Sequence, residues 1–162
     1  MIEIFITPEM LQRAKEKSIE MGRINNSICS GEGNLAGFIG EQAANEIIRG
    51  NVNNTYDYDI TDQIDRWDVK TKRCTTRPKP NYECSVAAFN TKQQCTKYAF
   101  VRLLHEGNTY IKAYILGWLS KDEYFKKAKF LKKGDLDLDN NFTVRADCYN
   151  VKISDLNDFK NL

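Results

Sequence analysis

The sequence predicts an α/β (α+β) protein, a central mixed sheet of about five strands flanked by helices, in one domain over residues 1–162. Three observations lead there. Helical segments with recognisable caps occupy residues 7–22 and 34–50. Several later runs alternate large apolar residues with polar ones at the two-residue period of strands. One hundred and sixty-two residues is a single domain's worth of chain, enough to bury a sizeable core.

In chain order, residues 1–7 suit a short strand. Thr7 then serves as N-cap and Pro8 as first residue of a helix running to about Gly22. Residues 23–33, with Asn25, Asn26, Ser27, Ser30, Gly31 and Gly33, read as a loop, an ordinary connector or one that closes over a ligand. Asn34 caps the second helix and Gly50 follows its end. Within it, Glu41 sits at the edge of the apolar stripe, with Phe38 at i−3, Ala44 at i+3 and Ile48 at i+7. An unpaired carboxylate there is costly, so a metal or a lysine is expected beside it. Glu46 faces solvent.

Residues 56–60 and 67–72 then read as a hairpin. Tyr56, Tyr58 and Ile60 alternate with Asp57 and Asp59; Trp67, Val69 and Thr71 alternate with Asp68, Lys70 and Lys72. The polar residues 61–66 form the turn, bringing Asp59 beside Asp68 and Lys70. Strand-like runs follow at 82–89, 98–104 and 110–119. Ser120 to Glu123 opens a short capped helix ending before Gly134, and 142–145 and 149–153 extend the sheet edge.

Two acids and a lysine on one face have a specific chemical use. Carboxylate oxygens hold Mg²⁺ or Mn²⁺, and such an ion polarises a phosphoryl oxygen and lowers the pKa of a bound water. A lysine offsets developing charge or orients the water. The same alternation also suits a solvated outer face, although Asp is unfavourable in strands.

Gly40-Glu41 in an apolar helix, Asp59 before an apolar residue, and Asp68-Val69-Lys70 in a strand together resemble the PD-(D/E)xK phosphodiesterase superfamily over residues 34–118. Restriction endonucleases, Holliday-junction resolvases and phage and repair nucleases belong to it. The resemblance implies a restriction-endonuclease-like core of a helix, three antiparallel strands, a connection and a further strand. Residues 119–162 would be an extension of a single nuclease domain. By motif position Glu41, Asp59, Asp68 and Lys70 would be catalytic. Asp59, Asp68, the Val69 carbonyl and Glu41 would hold Mg²⁺, with Mn²⁺ as substitute. Tyr58 stands where the name has proline, and Asp57 is the alternative first strand acid. DNA is the implied partner, and a homodimer is compatible with it because many relatives dimerise to cut both strands.

Net charge is only +2, so the distribution of charge matters more than its sum. Lys72, Arg73, Arg77 and Lys79 follow the motif strand and are candidates for tracking phosphates. The lysines at 126–133 suit a solvated helix face. Gln93 and Gln94 are read as contacting the site or as a surface turn.

Five scattered cysteines without a C-x-x-C pair argue against a disulfide framework and a structural zinc site. The one histidine, His105, lies in a turn and makes an imidazole-based triad a poor reading. No apolar run is long enough to span a bilayer, and residues 1–7 lack the marks of a secretory signal, so an intracellular, cytoplasmic protein is expected, one made by a virus in its host included. Two other readings compete with the nuclease: a non-catalytic DNA-binding or structural protein of the same fold, and a sheet-based protein-interaction module.

Overall fold

Pro8 can start a helix, and Thr7 before it offers a hydroxyl to an orphan amide. In the computed structural model, which describes residues 1–21, 32–53, 55–137 and 142–161, β1 (Ile2–Phe5) leads into α1 (Pro8–Met21), and the Met10 amide donates to Thr7 Oγ1 at 3.2 Å. Residues 23–31 of the expected loop lie outside the described residues. Glu32 and Gly33 belong to α2 (Glu32–Ile48), so Asn34 stands inside that helix and is not its cap. At the far end Arg49 takes the left-handed turn, with φ 57°. Gly50 serves another purpose: a Cβ there would lie 2.4 Å from the Thr61 carbonyl oxygen.

After α2 come β2 (Asn51–Val52), β3 (Ile60–Thr61), β4 (Arg66–Cys74), β5 (Glu83–Ala87), a 3-10 turn at Ala88–Lys92, β6 (Lys97–Glu106) and β7 (Thr109–Ser120). The chain continues through α3 (Lys121–Lys127), β8 (Lys129–Leu131), β9 (Leu136–Asp137), β10 (Phe142–Thr143) and β11 (Cys148–Lys152). The helix start read at Ser120 is present as a capping box, in which Ser120 and Glu123 each satisfy the other's amide.

The main sheet has six strands in the order β1-β7-β6-β4-β3-β2, one more than expected. All neighbours are antiparallel except β4 and β6, which run parallel. Two expectations fail here. The run at 82–89 does not join this sheet: β5 pairs with β11, which pairs with β8, in a separate three-stranded sheet. Nor do the C-terminal residues extend the main sheet's edge; β9 and β10 pair with each other and β11 serves the small sheet.

The physical reason lies in β6 and β7, which are apolar on both faces and need cover on both. Ala99, Val101 and Leu103 of β6 pack with Met10, Ala14, Ile39, Ala43, Trp67 and Val69 under α1 and α2. Tyr98 and Phe100, on the opposite face, pack with Cys84, Val86, Tyr124 and Val151 from β5, α3 and β11. Burying that second surface contributes roughly 25 cal/mol per Å² of apolar area removed from water. The result is a mixed α+β fold with a curled sheet sandwiched between two helices and a smaller sheet.

Candidate active site at the edge of strand β4

A strand flanked on both sides exposes its chemistry only where a neighbour ends. β3 pairs with β4 at Ile60↔Trp67 and Thr61↔Arg66 and no further, while β4 continues to Cys74. Residues 56–59, expected to be strand, are not: the pairing that a longer β3 would provide is replaced by a side chain. The Asp59 amide donates to the Trp67 carbonyl at 2.8 Å, and Asp59 Oδ2 accepts the Val69 amide at 2.7 Å. The N–H and C=O of one strand residue leave on the same side, so the Val69 carbonyl opens into the same gap. Asp57 goes elsewhere and accepts the Gln94 amide at 3.1 Å.

Glu41 reaches β4 because α2 lies directly against it. A Cβ on Gly40 would stand 2.0 Å from Thr71 Oγ1, so the Gly40-Glu41 pair combines close approach with a carboxylate one residue on. Glu41 is 8% exposed. Its partner is Lys17 of α1, whose Nζ lies 2.6 Å from Oε2 and 4.4 Å from the centroid of the Phe38 ring. Lys17 was not singled out in the sequence. It follows Met10 and Ala14 at helical spacing on the buried stripe of α1, and a lysine on such a stripe is the signal that finds it.

Asp68 and Lys70 sit on the face toward the small sheet, in register with Tyr98 and Phe100 of β6. Asp68 is 4% exposed. Lys70 Nζ lies 2.6 Å from Asp68 Oδ2 in an ionic contact, yet no donor is aligned for a hydrogen bond to that oxygen. Lys70 also donates to Gln93 Oε1 at 3.3 Å. Gln93 is itself buried and fixed: its amide donates to the Tyr56 carbonyl at 2.6 Å, and Lys121 donates to its carbonyl. Of the two glutamines, Gln93 thus touches the motif lysine, and Gln94 meets Asp57 through its backbone.

The three acids share one electrostatic field. Burial holds the Asp59 carboxyl well above its ordinary range, and the charges of Asp68 and then Glu41 push it further. Burial likewise raises Glu41, against the opposing pull of Lys17, with Asp68 adding repulsion. Three carboxylates face two ammonium groups, Lys17 and Lys70, leaving a surplus of negative charge in a dry place. Among the described residues, no three His, Cys, Asp or Glu side chains stand close enough to form a ready-made ion cage. The donor chemistry nevertheless suits a hard divalent cation: all-oxygen ligands, an Asp68 oxygen that accepts no hydrogen bond, and carboxylates whose mutual repulsion a cation would relieve.

The basic residues after β4 diverge. Lys72 continues the Asp68 and Lys70 face and donates to Ser85 Oγ at 2.7 Å. Arg73 is exposed and, by alternation, on the other face. Arg77 pairs with Glu3 of β1 at 2.5 Å, and Lys79 is exposed in a turn closed by the Tyr82 amide. His105 lies at the β6–β7 turn, its Nδ1 3.1 Å from the Gly107 carbonyl. Cys74, Cys84, Cys95 and Cys148 are free thiols, with burial pushing Cys84 up to about 12; Cys29 lies outside the described residues. Among the described residues no helix is long and apolar enough to cross a membrane. No protein-family model matches the sequence, and no curated protein matches it.

Proposed function

We propose that this protein is a divalent-metal-dependent nuclease that hydrolyses DNA phosphodiester bonds, with a restriction-endonuclease-like core formed by α2, the β3–β4 hairpin, β6 and β7. The single observation that carries the reading is the mutual electrostatic influence of Glu41, Asp59 and Asp68, with Lys70 in ionic contact with Asp68, where β3 parts from β4. Residues separated along the chain share that gap, and their charges are too costly to be solvated decoration. The parallel β6 and the departure of β5 to a second sheet are variations on the antiparallel core that the resemblance implies.

Asp59, Asp68 and the Val69 carbonyl, helped by Glu41, would hold Mg²⁺ or Mn²⁺. When bound, the ion polarises a phosphoryl oxygen and supplies a water of lowered pKa. Lys70 places a compact positive charge where negative charge develops on the phosphorus, and Gln93 fixes its direction. Lys17 opposes the burial that raises the Glu41 carboxyl. Asp59 holds the β4 edge open by taking the Val69 amide that a strand would otherwise use.

The test is cleavage of plasmid, single-stranded and branched DNA with Mg²⁺, Mn²⁺ or EDTA, beside Asp68→Asn and Lys70→Ala. Each substitution is expected to lower the rate by about 10²–10³, the usual cost of losing one preorganised charge. EDTA should abolish cleavage. Equal cutting by the variants, or no cutting of any substrate by wild type, overturns the reading.

A further inference from the structure

Between the main sheet and the small sheet lies a cavity of about 530 Å³ whose lining includes Lys72, Ser85, Arg102, Phe142, Arg145 and Tyr82. A smaller recess of about 110 Å³ shares Lys72, Ser85 and Arg102 with it and extends to Lys70. We infer that this cavity binds one nucleotide of a single-stranded DNA segment, with its phosphate between Lys72 and Arg102 and its base against Phe142 and Tyr82. The inference rests on the nuclease reading for the identity of the strand, and it adds a binding pocket to that site.

Lys72 and Arg102 are direct partners across the parallel β4–β6 pair. Like charges opposite one another in a sheet are destabilising. Among the described residues neither forms an ion pair with a carboxylate: Lys72 donates to Ser85 Oγ at 2.7 Å, and Arg102 Nη2 donates to the Glu83 backbone carbonyl at 2.6 Å. Burial of the ammonium and then the nearby guanidinium lower the Lys72 pKa, against the upward pull of Cys84, Cys148 and Glu83. Arg145 adds a third cation, stacked 5.6 Å from the centroid of the Phe142 ring. The acids of the lining are Glu83, which accepts the Asn150 amide at 2.6 Å, and Asp137. A phosphate satisfies paired cations, and an aromatic wall accepts any base by stacking. The volume suits one nucleotide rather than a duplex.

The experiment is fluorescence anisotropy of a labelled single-stranded oligodeoxynucleotide in EDTA, which reads binding apart from cleavage, with wild type, Lys72→Gln and Arg145→Ala. Each substitution is expected to weaken binding about tenfold, and Lys72→Gln to reduce the slope of log affinity against log salt by about 0.7, one phosphate contact on a single strand. Deoxyadenosine monophosphate should displace the strand where deoxyadenosine does not, assigning the contact to phosphate. Affinity and slope unchanged in both variants, equal competition by the nucleoside, or no binding by wild type overturns the pocket. A wild type that binds in this manner but cuts nothing overturns the nuclease reading alone and leaves the pocket standing.

Discussion

Two charged neighbourhoods lie along β4, and each is unbalanced in the opposite sense. Around Asp68 and Lys70 the surplus is negative: the buried Glu41 and Asp68 and the half-buried Asp59 share two lysines. At Lys72 the surplus is positive, since Arg102 stands opposite and no carboxylate pairs with either cation among the described residues. A solvated face would scatter such charges into water, where the imbalance costs little. Burial makes the imbalance at the acid end expensive, and each end states the sign of what would relieve it. The acid end suits a cation and the basic end an anion, and a phosphodiester strand accompanied by a divalent ion supplies both.

The sharpest way to break the acid end is to remove its outer cation. Lys17→Met leaves Glu41 buried without a partner and should cost about 3 kcal/mol of folding stability, measured by urea denaturation. Adding Glu41→Gln to that variant should restore most of the loss. If Lys17→Met alone proves neutral, the pair is not a buried one and the contrast with the basic end weakens.

A smaller effect is expected from the contact that delivers Glu41 to the strand. Gly40→Ala places a methyl group against Thr71, and overpacking of that kind costs about 1–3 kcal/mol even though alanine favours the helix. Gly40→Ala combined with Thr71→Ala should recover part of it, because the hydroxyl and methyl nearest the new carbon are gone. Stability equal to wild type in the single variant would mean that α2 does not lie as close to β4 as described.

The smallest effect has the opposite sign. Because the folded pKa of Asp59 lies well above the ordinary value of 3.8, its ionised form destabilises the fold at neutral pH. That penalty is present above the folded pKa and fades as pH falls through it toward the unfolded value. Asp59→Asn keeps an acceptor for the Val69 amide, removes the charge, and should raise stability at pH 7 by about 0.5–2 kcal/mol, with the advantage shrinking on acidification. Thermal melts of both proteins across that pH range check it; a variant less stable than wild type at neutral pH would show that Asp59 is stabilising as an anion.

Much of this was legible locally. Thr7-Pro8 and Ser120 to Glu123 mark helix starts because caps act within one turn, and both helices begin there. The two-residue period of residues 67–72 places Asp68, Lys70 and Lys72 on one face, as their register with β6 bears out. The same period misled at 56–60, where a carboxylate does the pairing that a strand backbone was expected to do. Gly50 looked like a helix stop and proved to be a close approach.

The sequence by itself determined the elements whose signals span a few residues: the capped helices, the long strands, and the charged alternation that marks β4. Tertiary structure alone decided that Lys17 meets Glu41, that Gln93 meets Lys70, that Arg102 stands beside Lys72, and that β5 and β11 cover the second face of the sheet. The physical reason is range: caps and periodicities are settled by neighbours along the chain, whereas the partner of a buried charge is whichever residue the packing of two apolar faces brings to it.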